Sequence, residues 1–433
     1  LDLSGDLLNS GSIGGRSIMA INAQNVDNLG GRIQADKLVV QARENLNNIG
    51  GTLGAVDLLS VNAGKNVRIA STTQDSANAQ GSRTDLSRVA SLFVSGTNGT
   101  LQVDAGNDLK LDAAQIANAG QGATLLSAGR DISLGTLAEA HQQSITWNSN
   151  NWRNEASRTE VGSIVQTTGE LQLSAGQDIN ARGASVNSEK GLLLANAGRD
   201  INLTEAENYQ FADEAHKFKG KSGMFSSTTT TIRDTVDQTL AAGSTFSAEQ
   251  AYLQAGRDIT LRGSNVASTD QTILLAGNDI NLEAASDRVT ERHDKTQKKS
   301  GLFSGGGLSL TIGTQKQSVE DDSTRRTAVS SMVGSTEGDV LILADGDYRQ
   351  IGSHVVAPKG DVDISAERID ILEARNLSER ERETKFKQSG LSVTLTNPVI
   401  SAIQTADQMK QASSKTDNSR MQALALATTA MAA

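Results

Sequence analysis

The residues in this 433-residue chain that most suggest chemistry are short glycine–aspartate loops. "LQAGRDITL" starts at Leu253, with close copies in "SAGRDISL" from Ser127, "NAGRDINL" from Asn196 and "LAGNDINL" from Leu275. Glycine beside aspartate is the composition of phosphate cradles and of calcium-binding β-roll turns. A calcium roll needs a turn about every nine residues with several glycines in each. Here the motif returns near every 21 residues with one or two glycines. A uniform ladder of this kind reads as a repeated fold constraint. Gly129, Asp131, Gly198, Asp200, Gly256, Asp258, Gly277 and Asp279 are therefore expected at structural corners. There the glycine would supply a positive φ, and the aspartate would bond its own nearby backbone.

Other catalytic signals are weak. The four histidines, His141, His216, His293 and His354, are scattered, and no His-Glu-x-x-His, Gly-x-Ser-x-Gly or phosphate-loop pattern occurs. With no cysteine, thiol nucleophiles and zinc–thiolate sites are excluded. The enzyme rival is a β-helical polysaccharide lyase or hydrolase, which would gather carboxylates on one strand face. The acids here instead occupy equivalent places in successive repeats. The expectation is a non-catalytic chain with no cofactor and no metal.

The elements that carry these loops repeat. The motif glycines fall at 106 and 129, 176 and 198, and 256 and 277, with a worn fourth pair at Gly346 and Glu367. Steps within the pairs are 23, 22, 21 and 21, and steps between them are 47, 58 and 69. Each coil alternates at period two, the strand signature. A spacing of five residues recurs at the second corner, from Leu111 to Ile116, Leu261 to Val266 and Ile351 to Val356. In the fourth unit, alignment on Gly346 puts Tyr348 in the place of Asp258 and Arg349 in that of Ile259. A sister pattern opens the chain, with Gly11, Gly30 and Gly50 in "NSGSIGG", "DNLGGRI" and "NNIGGTL".

A coil of about 20 residues cannot bury its own apolar side, so coils must stack. The expected fold is all-β: a right-handed parallel β-helix (solenoid) of roughly a dozen coils, with β-hairpin insertions and a C-terminal helix. Asn-x-Gly-Gly coils span 1–70. Paired Ala-Gly-x-Asp coils span 71–400, with insertions near 139–165, 205–245, 284–334 and 374–400. Residues 401–433 read as a helical cap or the start of a next domain. Because it begins inside a pattern, the chain is expected to be a fragment of a longer polypeptide.

Composition bounds the partners. Net charge is −10, so no global positive field attracts nucleic acid, and none is expected as a partner. Aromatics are only 3% of residues, and most lie in the insertions. Both tryptophans stand in the first. Phe218, Met224, Phe225, Leu302, Phe303 and Phe386 in the later ones are the candidate contacts with a target or membrane. The segments "GGGLSLTIGT" and "GLSVTLTN" approach the length of a tilted membrane-spanning strand.

The Ala-Gly-x-Asp-Ile coils, the preceding Asn-x-Gly-Gly coils and the Ser-Gly-Leu-Phe hairpins resemble the haemagglutinin repeats of the filamentous-haemagglutinin family. Within it the likeness is to the second repeat region of contact-dependent growth inhibition effectors, over about residues 1–400. The resemblance implies a protein secreted to the Gram-negative cell surface by an outer-membrane partner transporter of the two-partner secretion type. It implies a parent polypeptide with a C-terminal toxin, and a role for this region in moving that toxin across the target cell's outer membrane. The alternative is a passive adhesin shaft that binds a host or neighbouring cell surface.

Overall fold

Apolar–polar alternation over four to six residues makes short strands whose inward row is Leu, Ile, Val and Ala. The computed structural model describes residues 1–223, 226–304 and 309–394, and there these strands stack as a parallel β-helix. Among the described residues every element is a strand. The helix expected over 401–433 lies outside them.

One coil shows the path. Leu171–Ala175 forms a first face, Ile179–Arg182 a second and Ser185–Ser188 a third. Leu192–Ala197 then returns to the first face, parallel to Leu171–Ala175, with Leu193 opposite Leu171. Second-face strands begin at Leu7, Val26, Leu46, Val67, Leu109, Ile132, Ile179, Ile201, Ile259, Ile280, Asp347 and Arg368. Those twelve coils, at about 4.8 Å each, make a shaft on the order of 60 Å long. Its core is a set of in-register stacks, such as Ile179, Ile201, Ile259, Ile280 and Tyr348, all at 0% exposure. Each fully buried side chain of this size contributes roughly 1.5–3 kcal/mol.

The glycine–aspartate corner works differently from the sequence expectation. The motif glycines do not have positive φ. They are glycine because a Cβ on Gly129, Gly176 or Gly198 would stand 2.1–2.2 Å from the carbonyl oxygen of the glycine one coil below. Coil stacking itself forbids a side chain there. The aspartates likewise bond between coils. Asp178 Oδ1 accepts the Asp200 amide at 3.2 Å, Asp200 Oδ1 the Asp258 amide at 3.3 Å, and Asp258 Oδ1 the Asp279 amide at 3.1 Å. In the opening coils a buried asparagine ladder joins the stack at the other corner. Asn9 Nδ2 donates to Asn28 Oδ1 at 2.8 Å, and Asn28 Nδ2 to Asn48 Oδ1 at 2.7 Å.

Positive φ is needed at the second corner, between the second and third faces. Gly183 and Gly263 adopt φ of 56° and 55° there, and Ala113 takes 48° in the same place. This tight turn lies inside the five-residue spacing from Leu111 to Ile116 and from Leu261 to Val266.

The fourth unit is shifted by one residue from the alignment on Gly346. Register puts Tyr348 opposite Ile280, so it occupies the inward isoleucine row. Asp347 is the ladder aspartate, and its amide donates to Asp279 Oδ1 at 2.8 Å. Correspondingly, Gln350 and Val355, not Ile351 and Val356, continue the Leu261 and Val266 rows. The glycine has moved one place along the corner, which misled the alignment. The Tyr348 hydroxyl, buried at that site, donates to Gln350 Oε1 at 2.8 Å.

Candidate interaction surface

At alternate coils the tight second corner is replaced by a hairpin. The strand pairs are Thr72–Asn78 with Gly81–Arg88, Ile132–Asn148 with Asn151–Gly162, Ala206–Gly223 with Ser226–Ala242, and Ala285–Ser304 with Ser309–Val329. Leu377–Thr394 is a further strand at the next such corner. The hairpin at 72–88 was not anticipated from sequence. Gly64 and Gly106 are 42 residues apart, two coil lengths, so one coil plus one short insertion passes for two plain coils.

These insertions do not stand apart from one another. Each pairs antiparallel with the next, Thr84 opposite Ala140, Ala156 opposite Phe211, Thr231 opposite Thr296, and Gln317 opposite Phe386. Nine strands thereby form one antiparallel sheet along the shaft. Geometry explains the alternation: two coils advance the shaft by about 9.6 Å, the width of the two strands in one hairpin. A hairpin at every second coil keeps the sheet growing at the shaft's own rate.

Side chains alternate between the two faces of this sheet, which separates the expected contact residues. Phe218 and Phe386, 55% and 56% exposed, lie on one face in a single rung with Thr230, Gln297 and Gln317. Trp147 stacks on His216 beside them, with ring centroids 6.2 Å apart. Leu302 lies on the opposite face in a rung with Ile312 and Leu391. Its partners are more exposed than it is, at 62% and 72%. Sequence reasoning placed Ile312 and Leu391 only within the segments of membrane-strand length, because the register between insertions is what shows that they join Leu302. Met224 and Phe225 lie outside the described residues, and Phe303 belongs to the strand Ala285–Ser304, opposite Thr311.

The polar groups nearer the shaft are arranged as closed pairs. Arg233 donates to both carboxylate oxygens of Asp213 at 2.9 Å and lies over the Trp152 ring, 5.5 Å from its centre. The Arg233 guanidinium holds the Asp213 carboxyl below the ordinary carboxylate range, against the effect of burial. Arg380 makes the same fork to Asp321, at 2.8 and 2.6 Å, and lowers its pKa. His293 pairs with Asp234, and both line one groove with Asp321 and Arg380. His216 lies 3.6 Å from Glu214. Among the described residues no three His, Asp or Glu side chains converge as a metal-binding group. No described helix is long and apolar enough to cross a membrane, which leaves strands out of account.

The corner aspartates are paired too. Arg130 Nε donates to Asp108 at 2.9 Å and Arg199 Nε to Asp178 at 2.7 Å. These guanidinium bonds lower the pKa of both carboxyls. Asp131 and Asp279 accept the next coil's amide, from Asp178 at 3.1 Å and Asp347 at 2.8 Å, so these corners read as structural joints.

The family model described as hemagglutinin repeat matches residues 143–298 and 312–430. The deoxyribonuclease CdiA of Dickeya dadantii is 33% identical over 82% of this chain and 11% of its own length. The tRNA nuclease CdiA-2 of Burkholderia pseudomallei is 30% identical over 79% of the chain and 11% of its own length. The tRNA nuclease CdiA of Escherichia coli is 30% identical over 92% of the chain, covering 12% of that protein. The chain thus spans about a tenth of these relatives. No solved structure matches it.

Proposed function

Because the chain belongs to the hemagglutinin-repeat family, as a CdiA-type repeat region, we propose that it is a non-catalytic rod within a large secreted effector. In this reading the coils wind right-handed, as crossovers between parallel strands do. The parent chain leaves its cell through an outer-membrane partner transporter. The hairpin sheet then engages the outer membrane of a target cell and helps a C-terminal toxin across. The names of the relatives place nuclease activity in those whole proteins; this region is proposed to carry none.

The observation that supports the reading is the sheet itself. Nine strands are joined into one surface, and its far end exposes Leu302, Ile312 and Leu391 in a row. Exposed apolar rows of this kind mark contact surfaces. The test is a full-length effector with these three residues changed to serine. Delivery lost with cell binding retained supports the proposal. Binding lost without any separate delivery defect favours an adhesin shaft, and unchanged delivery sinks the role given to the sheet.

A further inference from the structure

Behind the apolar row lies a feature that the contact reading does not use. Lys298, Lys316 and Lys387 stand directly opposite one another on three adjacent strands, on the same face as Leu302, Ile312 and Leu391. Lys219 continues the rung, separated from Lys298 by Thr229. Like charges facing across strands destabilise a sheet. All four are exposed, and none has a carboxylate partner among the described ion pairs. Two rungs closer to the shaft on this face Asp294, Glu320 and Glu383 are in register, with Thr296, Ser318 and Lys385 in the rung between. Lys385 in that intervening rung pairs with Glu383, whereas the lysine rung itself has no such partner.

The order along each strand is the same. Lys298 precedes Leu302, Lys316 follows Ile312 and Lys387 precedes Leu391, each by four residues. That is about 13 Å along a strand, with a Ser or Thr rung between. A soluble polyanion has use for the lysines and none for the apolar row in front of them. A bilayer surface presents both needs in this order, an anionic headgroup plane and then hydrocarbon on the order of 5–10 Å deeper, a depth that the offset of about 13 Å spans.

We infer that the lysine rung is a docking site for lipid headgroups of net negative charge, with the sheet entering end-on. Leu302, Ile312 and Leu391 reach the acyl boundary while Lys298, Lys316, Lys387 and Lys219 meet the anionic headgroups. This rests on the proposed engagement of a membrane by the hairpin sheet and adds the lipid chemistry and the orientation.

The test is flotation of the 433-residue chain with phosphatidylcholine vesicles, with and without phosphatidylglycerol. It is run for the native chain, for Lys298→Gln/Lys316→Gln/Lys387→Gln and for Leu302→Ser/Ile312→Ser/Leu391→Ser. Exposed lysine-to-glutamine changes leave the shaft core untouched, and a matching far-ultraviolet spectrum verifies folding. The expected result is association that requires the anionic lipid and weakens at high salt. The lysine variant should lose it by on the order of a hundredfold, three surface charges together. Equal binding to both vesicle types, or a lysine variant that binds like the native chain, overturns the anionic-headgroup assignment while membrane engagement stands. No flotation of the native chain with either vesicle overturns both. Binding retained by the serine variant at full strength overturns the end-on orientation.

Discussion

The shaft and the hairpin sheet are both built from β-strands and satisfy them in opposite ways. In the shaft, parallel strands enclose an inward row in which Ile201, Ile259 and Leu261 have no solvent contact. In the sheet, antiparallel strands of up to 21 residues form one layer whose side chains are mostly half-buried or exposed on both faces. The shaft is held by burial, whereas the sheet is held by backbone pairing and by ion pairs such as Arg233–Asp213. The lesson is that the shaft supplies the sheet with its register. Every hairpin emerges from a corner whose position is already fixed by coil stacking, so adjacent hairpins meet in alignment at little further entropic cost.

Breaking the shaft should therefore cost most. Ile259→Ala removes a fully buried side chain from the stack and should destabilise by about 2–5 kcal/mol. Ile232→Ala, on the half-exposed sheet, should cost a small fraction of that. Hydrogen-exchange mass spectrometry compares them region by region, which suits a linear repeat with limited cooperativity. If both variants loosen the same peptides to the same degree, the division between the two regions is wrong.

Next comes the glycine ladder. Gly198→Ala drives a methyl into the Gly176 carbonyl and should destabilise by about 1–3 kcal/mol through local coil separation. Faster exchange should be confined to the coils on either side. A neutral result would show that the coils can spread without penalty.

Acid acts on both regions. Asp108 and Asp178 in the shaft, and Asp213 in the sheet, have pKa values lowered by their arginine partners. Their stabilisation is fully present above the unfolded carboxyl value of about 3.9 and is lost as pH falls through the lower folded values. Stability should thus be flat from neutral pH to about 5 and fall below about 4. Asp178→Asn should flatten that decline in the shaft peptides alone. The smallest effect is expected for Arg380→Gln, which opens a solvent-exposed fork to Asp321 on the sheet. Exchange should quicken only in the strands Ser309–Val329 and Leu377–Thr394.

The sequence carried the shaft well, because period-two alternation and a 21-residue return are both direct consequences of coil geometry. It misassigned the reason for the motif glycines. A residue needed for left-handed φ and a residue needed for close stacking are both written Gly, and only the neighbouring coil tells Gly183 from Gly198. Buried serines at the second corner also went unnoticed. Ser244 Oγ accepts the Ala184 amide at 3.1 Å, and Ser264 Oγ accepts the Ser244 amide at 3.0 Å, partners 60 and 20 residues away. The candidate surface was half legible. Phe218, Phe386 and Leu302 are notable as apolar residues in polar strands, but their division between two faces depends on a register that no single insertion specifies.

The two-coil advance that matches one hairpin also limits how such a chain can change length. An added single coil would carry every later hairpin one strand-width past its neighbour and tear the sheet at that seam. An added block of two coils with its hairpin would slide in without a gap. Viable length variants of this rod should therefore differ by even numbers of coils wherever hairpins are present. The opening segment before Thr72, which has no hairpins to keep in step, is free to grow or shrink by one.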